Sequence, residues 1–375
     1  MEIQNPHEPK ATDEVKSKTQ NWTDQPRAVR KGEELDTEVL AGYLAAHVGE
    51  GELVVEQFPS GFSNLTYLIR LGERQLVLRR PPFGAKVKSG HDMGREFKIL
   101  SHLSPVYPKV PQPLHFCEDP SVLGAPFYVM ERVEGIILRP KMPAEMIPPP
   151  ERMARIAHAF VDTFAELHAV DYEAAGLGDL GRPEGYVQRQ IEGWTRRYQN
   201  ARTDDLPEID TVAAWLAANL PAEAGRALIH NDFKYDNIVL DPADWGRVVA
   251  VLDWEMATLG DPLMDLGTSL GYWLDPDDPP QLQQLSLSPT TLPGNPSRAE
   301  LAQRYAEQSG RDIDHLVFYY VCGVFKIAVI IQQIYFRYKQ GHTKDPRFAH
   351  LIHAVRGCGM LGAQALHKGR IDKLF

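Results

Sequence analysis

The hydrophobic positions of the chain follow two different periods, and the change between them divides the sequence into two parts. From Leu53 to Leu78, apolar and polar residues alternate in short runs that glycine-containing turns separate. Such alternation is typical of antiparallel strands joined by tight turns. A helix is predicted at Gly94–Leu103, so this part forms a small α+β unit that ends near Val133. The predicted strands are Leu53–Phe58, Leu65–Leu71, Gln75–Arg80, His115–Glu118 and Phe127–Glu131.

Beyond Pro150 the apolar residues repeat at helical spacing. They occupy positions 153, 156, 157, 160, 161, 164 and 167, the pattern of a helix with one buried face, which predicts a helix at Met153–Val170. The first 34 residues are polar and lack a period, which predicts a flexible tail. We therefore expect a tail at 1–34, an N-lobe at 35–133 and a C-lobe at 134–375. Further C-lobe elements are predicted at Gly185–Tyr198, Thr211–Leu220, Ile238–Leu240 and Val248–Leu252.

Length and composition are those of a globular protein and exclude several classes. The chain has 375 residues, of which 43% are hydrophobic, enough for a sizeable core in each of two lobes. Its net charge of −10 argues against a nucleic-acid-binding protein, because phosphate contacts need a basic surface. The three cysteines lack a CxxC spacing, which disfavours a disulfide framework or a structural zinc site and favours a reducing cytosol.

Neither a targeting signal nor a membrane span is expected. The N-terminal residues carry charges throughout, without the apolar stretch of a signal peptide. The most apolar segment, Leu316 to Phe336, contains Lys326 and two glutamines, and it lacks the roughly 18 uncharged apolar residues that a spanning helix needs. We predict a buried helix there and a cytoplasmic protein that binds no membrane. The sequence leaves the oligomeric state open.

The densest group of chemically competent residues lies between positions 228 and 265. Asp232 and Asn237 are five residues apart in a loop before a short strand, and Asp253 ends the returning strand. The hairpin brings Asn237 near Asp253, so an amide oxygen and a carboxylate can bind Mg²⁺, which prefers oxygen ligands. Asp232 remains to accept the proton of an attacking hydroxyl, and Lys234 to offset the charge of a transferred phosphoryl group. The alternative is a polar hairpin without a catalytic role.

Two segments of this region resemble motifs of the protein-kinase-like superfamily. They are His230-x-Asp232-x4-Asn237 and Asp253-Trp254-Glu255. A third segment, Gly260-Asp261-Pro262-x-x-Asp265-Leu266, is similar to the aminoglycoside phosphotransferase branch, especially its domains fused to acyl-CoA dehydrogenases. The resemblance covers about residues 36–350. It implies a bilobal α+β fold, in which a small N-lobe with an antiparallel sheet and one main helix faces a larger, mainly helical C-lobe. It also implies ATP or GTP as donor, Mg²⁺ as cofactor and a small-molecule hydroxyl as acceptor.

The same resemblance assigns nucleotide contacts to the N-lobe. Arg79 replaces the strand lysine of kinases and is expected to pair with Glu96 and hold the α- and β-phosphates. A guanidinium is longer and prefers bidentate pairing, so it holds the carboxylate well and the phosphates differently. The loop expected over the phosphates has one glycine where kinases have three, and its candidate contacts are Ser60, Gly61, Ser63 and Asn64. The residues expected around the adenine are Val77 on the strand and Met130, Glu131 and Val133 at the hinge.

Four further residues have a structural and a functional interpretation. His168 is expected to lie in the core, with a ligand role as the alternative, and Asp265 is expected to order the loop near Asp253, with a substrate contact as the alternative. Lys326 lies in an apolar helix, so it must pair or reach a cavity, and contact with an anionic substrate is one option. Trp194 is either a core residue or part of the acceptor pocket.

Two classes of function remain after these arguments. The leading prediction is an ATP- and Mg²⁺-dependent phosphotransferase that phosphorylates a hydroxyl of a small molecule, with Asp232 as catalytic base. The alternative is a nucleotide-binding pseudokinase without turnover, which Arg79 and the single glycine of the phosphate loop leave open. The sequence does not identify the acceptor.

Overall fold

The computed structural model describes residues 25–59, 64–84, 91–140, 142–283, 288–343 and 345–375. They form a small lobe built on one antiparallel sheet and a larger lobe built mainly of helices, which confirms the predicted α+β fold. The sheet has the strand order β1-β2-β3-β5-β4, and all five predicted strands are present. Its members are β1 Leu53–Gln57, β2 Leu65–Leu71, β3 Arg74–Arg80, β4 Pro113–Cys117 and β5 Phe127–Glu131.

The remaining elements follow the predicted change from strands to helices. The N-lobe helices are α1 Thr37–His47, α2 Met93–Leu103 and the single turn α3 Pro120–Leu123. The C-lobe helices are α4 Pro150–His168, α5 Tyr186–Ala201, α6 Pro207–Ala218, α7 Pro262–Tyr272, α8 Pro280–Gln283, α9 Arg298–Ser309, α10 Leu316–Lys339 and α11 Leu351–Lys368. Two small antiparallel pairs lie in the C-lobe, one of β6 Ala227–Ile229 with β9 Thr258–Gly260 and one of β7 Ile238–Leu240 with β8 Val248–Val251.

Strand β3 has one face toward each of two hydrophobic cores. Leu76 and Leu78 pack into a core that includes residues of α1, whereas Val77 packs into the large core that continues into the C-lobe. Because side chains alternate along a strand, Arg79 lies on the face of Val77 and Arg80 on the other. Arg80 donates to the carbonyl of Leu123 at 2.8 Å on that other face. The alternation therefore directs Arg79 toward the cleft between the lobes.

Helix α10 is the apolar segment that the sequence predicted as a buried helix. By length and composition it resembles a membrane-spanning helix, yet 72% of its most apolar stretch is buried inside the protein. It crosses α7 closely. A Cβ atom added to Gly267 of α7 would lie 2.0 Å from the Tyr319 carbonyl oxygen of α10. A Cβ atom added to Gly323 of α10 would lie 2.0 Å from the Gly267 carbonyl oxygen. Glycine at both positions permits this approach, which brings Lys326 of α10 beside the catalytic loop.

Residues 25–34, which the sequence placed in a flexible tail at 1–34, are ordered against the N-lobe. Arg27 forms an antiparallel bridge with Gln57 of β1, with two backbone hydrogen bonds of 2.8 Å. The Tyr67 hydroxyl donates to the carbonyl of Glu33 at 2.7 Å, and Val29 packs on the core beneath α1. Residues 25–34 therefore belong to the N-lobe. Residues 1–24 of the predicted tail lie outside the described residues.

Candidate active site

The predicted catalytic loop lies between β6 and β7 and ends in a 3₁₀ turn at Tyr235–Asn237. Asp232 Oδ2 accepts hydrogen bonds from Lys234 Nζ at 2.8 Å and from Asn237 Nδ2 at 3.0 Å. Burial lowers the pKa of Lys234, but the carboxylates of Asp232 and Asp236 raise it on balance, so the ammonium stays charged. The loop thus joins a carboxylate, a cation and an amide in one hydrogen-bonded group at the cleft.

The backbone that precedes Asp232 is held from two sides. Asn231 has a left-handed φ of 67°, a conformation that few residues other than glycine adopt. The Asp265 carboxylate accepts hydrogen bonds from the backbone N–H groups of His230 at 2.5 Å and Asn231 at 2.7 Å. On the other side, Lys326 Nζ donates to the Asn231 carbonyl oxygen at 2.7 Å. Asp265 orders the loop before Asp232, and the buried Lys326 has a hydrogen-bond partner.

Asp253 follows β8 and lies at the same end of the hairpin as Asn237. The N–H of Leu252 donates to the Asn237 carbonyl oxygen at 2.8 Å, which brings the two candidate metal ligands together. Like Asn231, Asp253 has a left-handed φ of 67°. Burial raises the pKa of Asp253, but Arg79 lowers it on balance, so the carboxylate is ionised.

The donors at this end of the hairpin fit a magnesium ion held jointly with nucleotide. The Asn237 amide directs its N–H groups to Asp232, which leaves the amide oxygen as a ligand beside the Asp253 carboxylate. Among the described residues, no cluster of three or more His, Cys, Asp or Glu side chains is arranged for a metal. Magnesium usually takes one or two carboxylates and completes its shell with water and phosphate oxygens. A two-residue protein site therefore suits Mg²⁺ in the presence of a nucleotide.

Arg79 connects this hairpin end to the N-lobe. Its Nη1 donates to Glu96 Oε1 at 2.8 Å, so the contact predicted for this pair is present. Its Nη2 donates to Asp253 Oδ1 at 2.9 Å and lies 3.6 Å from Glu255 Oε2, contacts that the sequence did not predict. Burial lowers the pKa of Arg79, and the carboxylates, Glu96 first, raise it well above its usual range. The guanidinium thus joins β3, α2 and the candidate metal loop.

The phosphate-loop candidates are described only in part. Ser60, Gly61 and Ser63 lie outside the described residues, and Asn64 is the first residue described after them. Asn64 is buried, and its Nδ2 donates to Glu255 Oε2 at 2.7 Å while its Oδ1 lies 2.9 Å from His91 Nδ1. The end of the predicted phosphate loop is therefore tied to the Asp253-Trp254-Glu255 segment.

The hinge candidates lie where β5 leaves the sheet. Met130 is buried opposite Val77 in the β3–β5 pairing, on the cleft face of the sheet. The Glu131 N–H donates to the Gln112 carbonyl oxygen at 2.9 Å, so this N–H is not free for a ligand. The Val133 N–H donates to no backbone or side-chain acceptor among the described residues. The hinge thus offers an apolar surface and one backbone donor to a planar base.

A cavity of about 250 Å³ opens beside the catalytic loop. Lys326 and Arg197 are its basic residues, although burial lowers the pKa of Lys326. No carboxylate lines the cavity among the described residues. Trp194 also lines the cavity, and the Arg197 guanidinium lies 4.5 Å from the centre of its ring. The lining residues are Tyr186, Gln190, Trp194, Arg197, Asn231, Met256, Thr258, Lys326 and Gln333.

Sequence reasoning missed two residues of this site. The sequence assigns Glu255 no role, although its position two residues after Asp253 is a local signal. Tyr272 ends α7, and its ring centre lies 5.1 Å from Lys234 Nζ. Burial, and then the Asp232 carboxylate, raise the pKa of the Tyr272 hydroxyl well above its usual range. No local pattern marks Tyr272, because only the path of α7 brings it to the loop.

The chain is similar to known proteins over most of its length. A family model described as the phosphotransferase enzyme family matches residues 54–301. Mouse acyl-CoA dehydrogenase family member 10 is 37% identical over 325 residues, which cover 85% of this chain and 30% of that protein. The chain thus spans less than a third of that relative's length. For human family member 11 the identity is 35%, and the match covers 87% of this chain and 43% of that protein.

A solved structure also resembles most of the chain. A putative aminoglycoside phosphotransferase from Ralstonia eutropha JMP134 has a TM-score of 0.75 and 32% identity. The match covers 89% of this chain and 99% of that protein. The two chains therefore share the arrangement of both lobes, and the sequence-based expectation of a kinase-like fold is confirmed.

Proposed function

The chain belongs to the phosphotransferase enzyme family, and from this we propose that it transfers the γ-phosphoryl group of ATP, with Mg²⁺, to a hydroxyl group of a small molecule. One observation carries the proposal, the hydrogen-bonded group of Asp232, Lys234 and Asn237 at the same cleft as Arg79 and Asp253. This arrangement supplies a base, a phosphate-facing cation and two oxygen ligands, which are the parts that phosphoryl transfer requires.

In the proposed reaction Asp232 orients the acceptor hydroxyl and takes its proton as the oxygen attacks the γ-phosphorus. The bond between this phosphorus and the oxygen that bridges it to the β-phosphate breaks, and ADP leaves. Lys234 hydrogen-bonds the carboxylate and lies next to it, so its ammonium can offset the charge of the transferred group. Arg79 is the candidate contact of the nucleotide's phosphates, and the Val133 N–H is the candidate contact of its base. Asn237 and Asp253 would hold Mg²⁺, which when bound supplies positive charge to the donor phosphates.

The cavity beside Asn231 is the proposed acceptor site. It adjoins the residue that directly precedes Asp232, so a hydroxyl bound there lies next to the base. Arg197 brings a guanidinium to the lining, and the described lining contains no carboxylate to attract a polycation such as an aminoglycoside. We therefore propose an acceptor that carries a negative charge. Because the curated relatives are named acyl-CoA dehydrogenase family members, hydroxyacyl compounds are the first acceptors to test.

A nucleotide-binding protein without turnover is the second candidate, and the contact between Arg79 and Asp253 favours it. A guanidinium on Oδ1 of Asp253 competes with a metal ion for the same carboxylate oxygen. If the pair does not open when nucleotide binds, Mg²⁺ lacks one of its two protein ligands. The two candidates therefore differ in whether nucleotide binding depends on Mg²⁺ and leads to transfer.

The decisive experiment measures transfer with the wild-type protein and two variants. A panel of hydroxyl compounds, including hydroxyacyl and aminoglycoside members, is incubated with ATP or GTP and Mg²⁺, and phosphorylated product is detected by mass spectrometry. We expect product from an anionic acceptor with the wild type and with Asp244→Asn, a surface control. Asp232→Asn should yield none while ATP still protects it against thermal unfolding. Product formed equally by Asp232→Asn would remove Asp232 as the base, and nucleotide binding without any product would support the second candidate.

A further inference from the structure

Tyr272, the last residue of α7, meets both charged members of the Asp232 group with different parts of one side chain. Its ring centre lies 5.1 Å from Lys234 Nζ, within the range of a cation–π contact. Burial first, and then the charge of the Asp232 carboxylate and a hydrogen bond with it, raise the pKa of the Tyr272 hydroxyl well above its usual range. The phenol therefore keeps its proton and is a donor to Asp232. The side chain is half-buried, so it also borders the open cleft.

The neighbours of Tyr272 in the chain hold its backbone in place. A Cβ atom added to Gly271 would lie 3.1 Å from the carbonyl carbon of Gly323, so α7 and α10 touch directly beside Tyr272. On the other side, the Trp273 indole N–H donates to the Pro296 carbonyl oxygen at 3.0 Å. The phenol thus approaches Asp232 from a helix end that is anchored on both sides.

The two oxygens of Asp232 differ in the hydrogen bonds that they receive. Oδ2 accepts from Lys234 Nζ at 2.8 Å and from Asn237 Nδ2 at 3.0 Å. One carboxylate oxygen accepts about two hydrogen bonds, so Oδ1 is the oxygen that remains for a further donor. A hydroxyl that gives its proton to Asp232 must use Oδ1, whether it belongs to an acceptor or to water. The Tyr272 hydroxyl needs the same oxygen and therefore competes with both.

We propose that Tyr272 is a further catalytic residue, which keeps water from the base until the acceptor binds. The inference rests on the role proposed for Asp232, because a base that prepares an alcohol for attack prepares water as well. In that side reaction the water oxygen attacks the γ-phosphorus and Asp232 takes its proton. The bond to the bridging oxygen breaks, and ADP and phosphate leave. An acceptor displaces the phenol because the cavity beside Asn231 also holds it, whereas water lacks this support.

The competing interpretation is that Tyr272 only packs at the end of α7. The formation of ADP from ATP and Mg²⁺ without any acceptor separates the two. Tyr272→Phe keeps the ring beside Lys234 and removes the hydroxyl. We expect it to raise this hydrolysis roughly 10-fold, the scale on which a hydrogen bond to a charged group competes with water. A loss of packing alone lowers a rate and does not raise it.

Two further variants and one spectroscopic measurement complete the experiment. Tyr172→Phe removes a hydroxyl from another half-buried tyrosine, in the segment after α4, and should leave hydrolysis at the wild-type rate. Tyr272→Phe combined with Asp232→Asn should lose the added hydrolysis, because the base is gone. With tyrosine labelled with ¹³C at Cζ, the NMR signal that Tyr272→Phe lacks belongs to Tyr272. This signal should shift in Asp232→Asn, since the phenol then faces an uncharged group.

Each outcome decides between the inference and the function on which it rests. Unchanged hydrolysis in folded Tyr272→Phe overturns the inference, and the proposed function still stands if the wild type phosphorylates a compound of the panel. Added hydrolysis that persists after Asp232→Asn also overturns it, because water then attacks without this base. Added hydrolysis that requires Asp232, with no phosphorylated compound from the panel, means that Tyr272 guards the base and that transfer to a small-molecule hydroxyl is wrong.

Discussion

Arg79 and Asp253 form an ion pair across the cleft, with Nη2 of the guanidinium 2.9 Å from Oδ1 of the carboxylate. The same guanidinium uses Nη1 to hold Glu96 of α2 at 2.8 Å. An arginine can serve both carboxylates because its N–H groups point in several fixed directions, whereas a lysine offers one compact nitrogen. Strand β3, helix α2 and the candidate metal loop are thereby coupled through one side chain.

Removing one member of this group should affect nucleotide use more than folding. Breaking a fully buried pair costs about 3–5 kcal/mol, but in Glu96→Ala the guanidinium keeps Asp253, so a smaller loss of stability is expected. Arg79 then turns toward Asp253, and the KM for ATP should rise.

Arg79→Lys should lose most activity, since one ammonium cannot hold Glu96 and Asp253 together. Thermal unfolding and steady-state kinetics check both, with the exposed Arg155→Lys as control, and wild-type kinetics in Arg79→Ala would contradict any role for Arg79.

Asp253→Ala should abolish the Mg²⁺ dependence of nucleotide binding, because it removes the charged member of the two-residue metal site. Calorimetric titration with ATP, in the presence of Mg²⁺ and again with excess chelator, measures this directly. For the wild type the affinity should fall when the chelator removes the metal, and for Asp253→Ala the two titrations should agree at the weaker value. Equal protection of the variant and the wild type by ATP and Mg²⁺ against thermal unfolding would show that the metal binds elsewhere.

The acceptor cavity can be tested with two neighbouring arginines of α5. Both arginines are exposed, but Arg197 lines the cavity and lies over the Trp194 ring, whereas the adjacent Arg196 does not line it. Arg197→Ala should raise the KM for an anionic acceptor and leave the KM for ATP unchanged, because only the acceptor loses a charge partner. Arg196→Ala removes the same charge from the same helix and should change neither constant. Equal effects of the two substitutions would indicate general charge attraction and not a defined site.

Asp236 predicts a pH dependence of stability. Burial raises the pKa of this carboxyl from 3.8 to about 6, although Lys234 opposes the shift. A raised pKa means that the folded state holds the proton more tightly than the unfolded state, so stability falls as pH rises through this interval and stays lower above it. Asp236→Asn should therefore raise the Tm at pH values above 6, with a gain that shrinks as pH approaches 3.8. Thermal unfolding over a pH series checks this, and the surface change Asp314→Asn should show no such trend.

Much of the fold and the core of the candidate site could be predicted because they depend on neighbours in the chain. The alternation in β1 to β5 and the helical spacing in α4 are local properties, and each element appears where its pattern predicted it. The spacing of Asp232 and Asn237 is equally local, since both lie in one loop that ends at β7. Turn and strand geometry alone then place Asn237 beside the end of β8, where Asp253 follows.

Tertiary packing alone determined the contacts that join these local pieces. Arg79 meets Asp253 across 174 positions, and Asn64 meets Glu255 across 191. No period in the sequence relates such residues, because their distance depends on how the two lobes close. The tail prediction was wrong for residues 25–34 for the same reason, since Val29 belongs to no period in the sequence and packs on the core only because the sheet lies beside it.

The sequence by itself determined which side chains are the candidates for the chemistry, and the tertiary structure determined how they are restrained. Asp232, Lys234 and Asn237 can be identified from their spacing in the sequence, because backbone geometry keeps them together in any fold that forms the loop. The partners of the turn at Asn231 cannot be identified in this way, because Asp265 and Lys326 come from two different helices. The close crossing of α7 and α10 at Gly267 brings both of them to one loop, and such a crossing exists only when the whole core has packed.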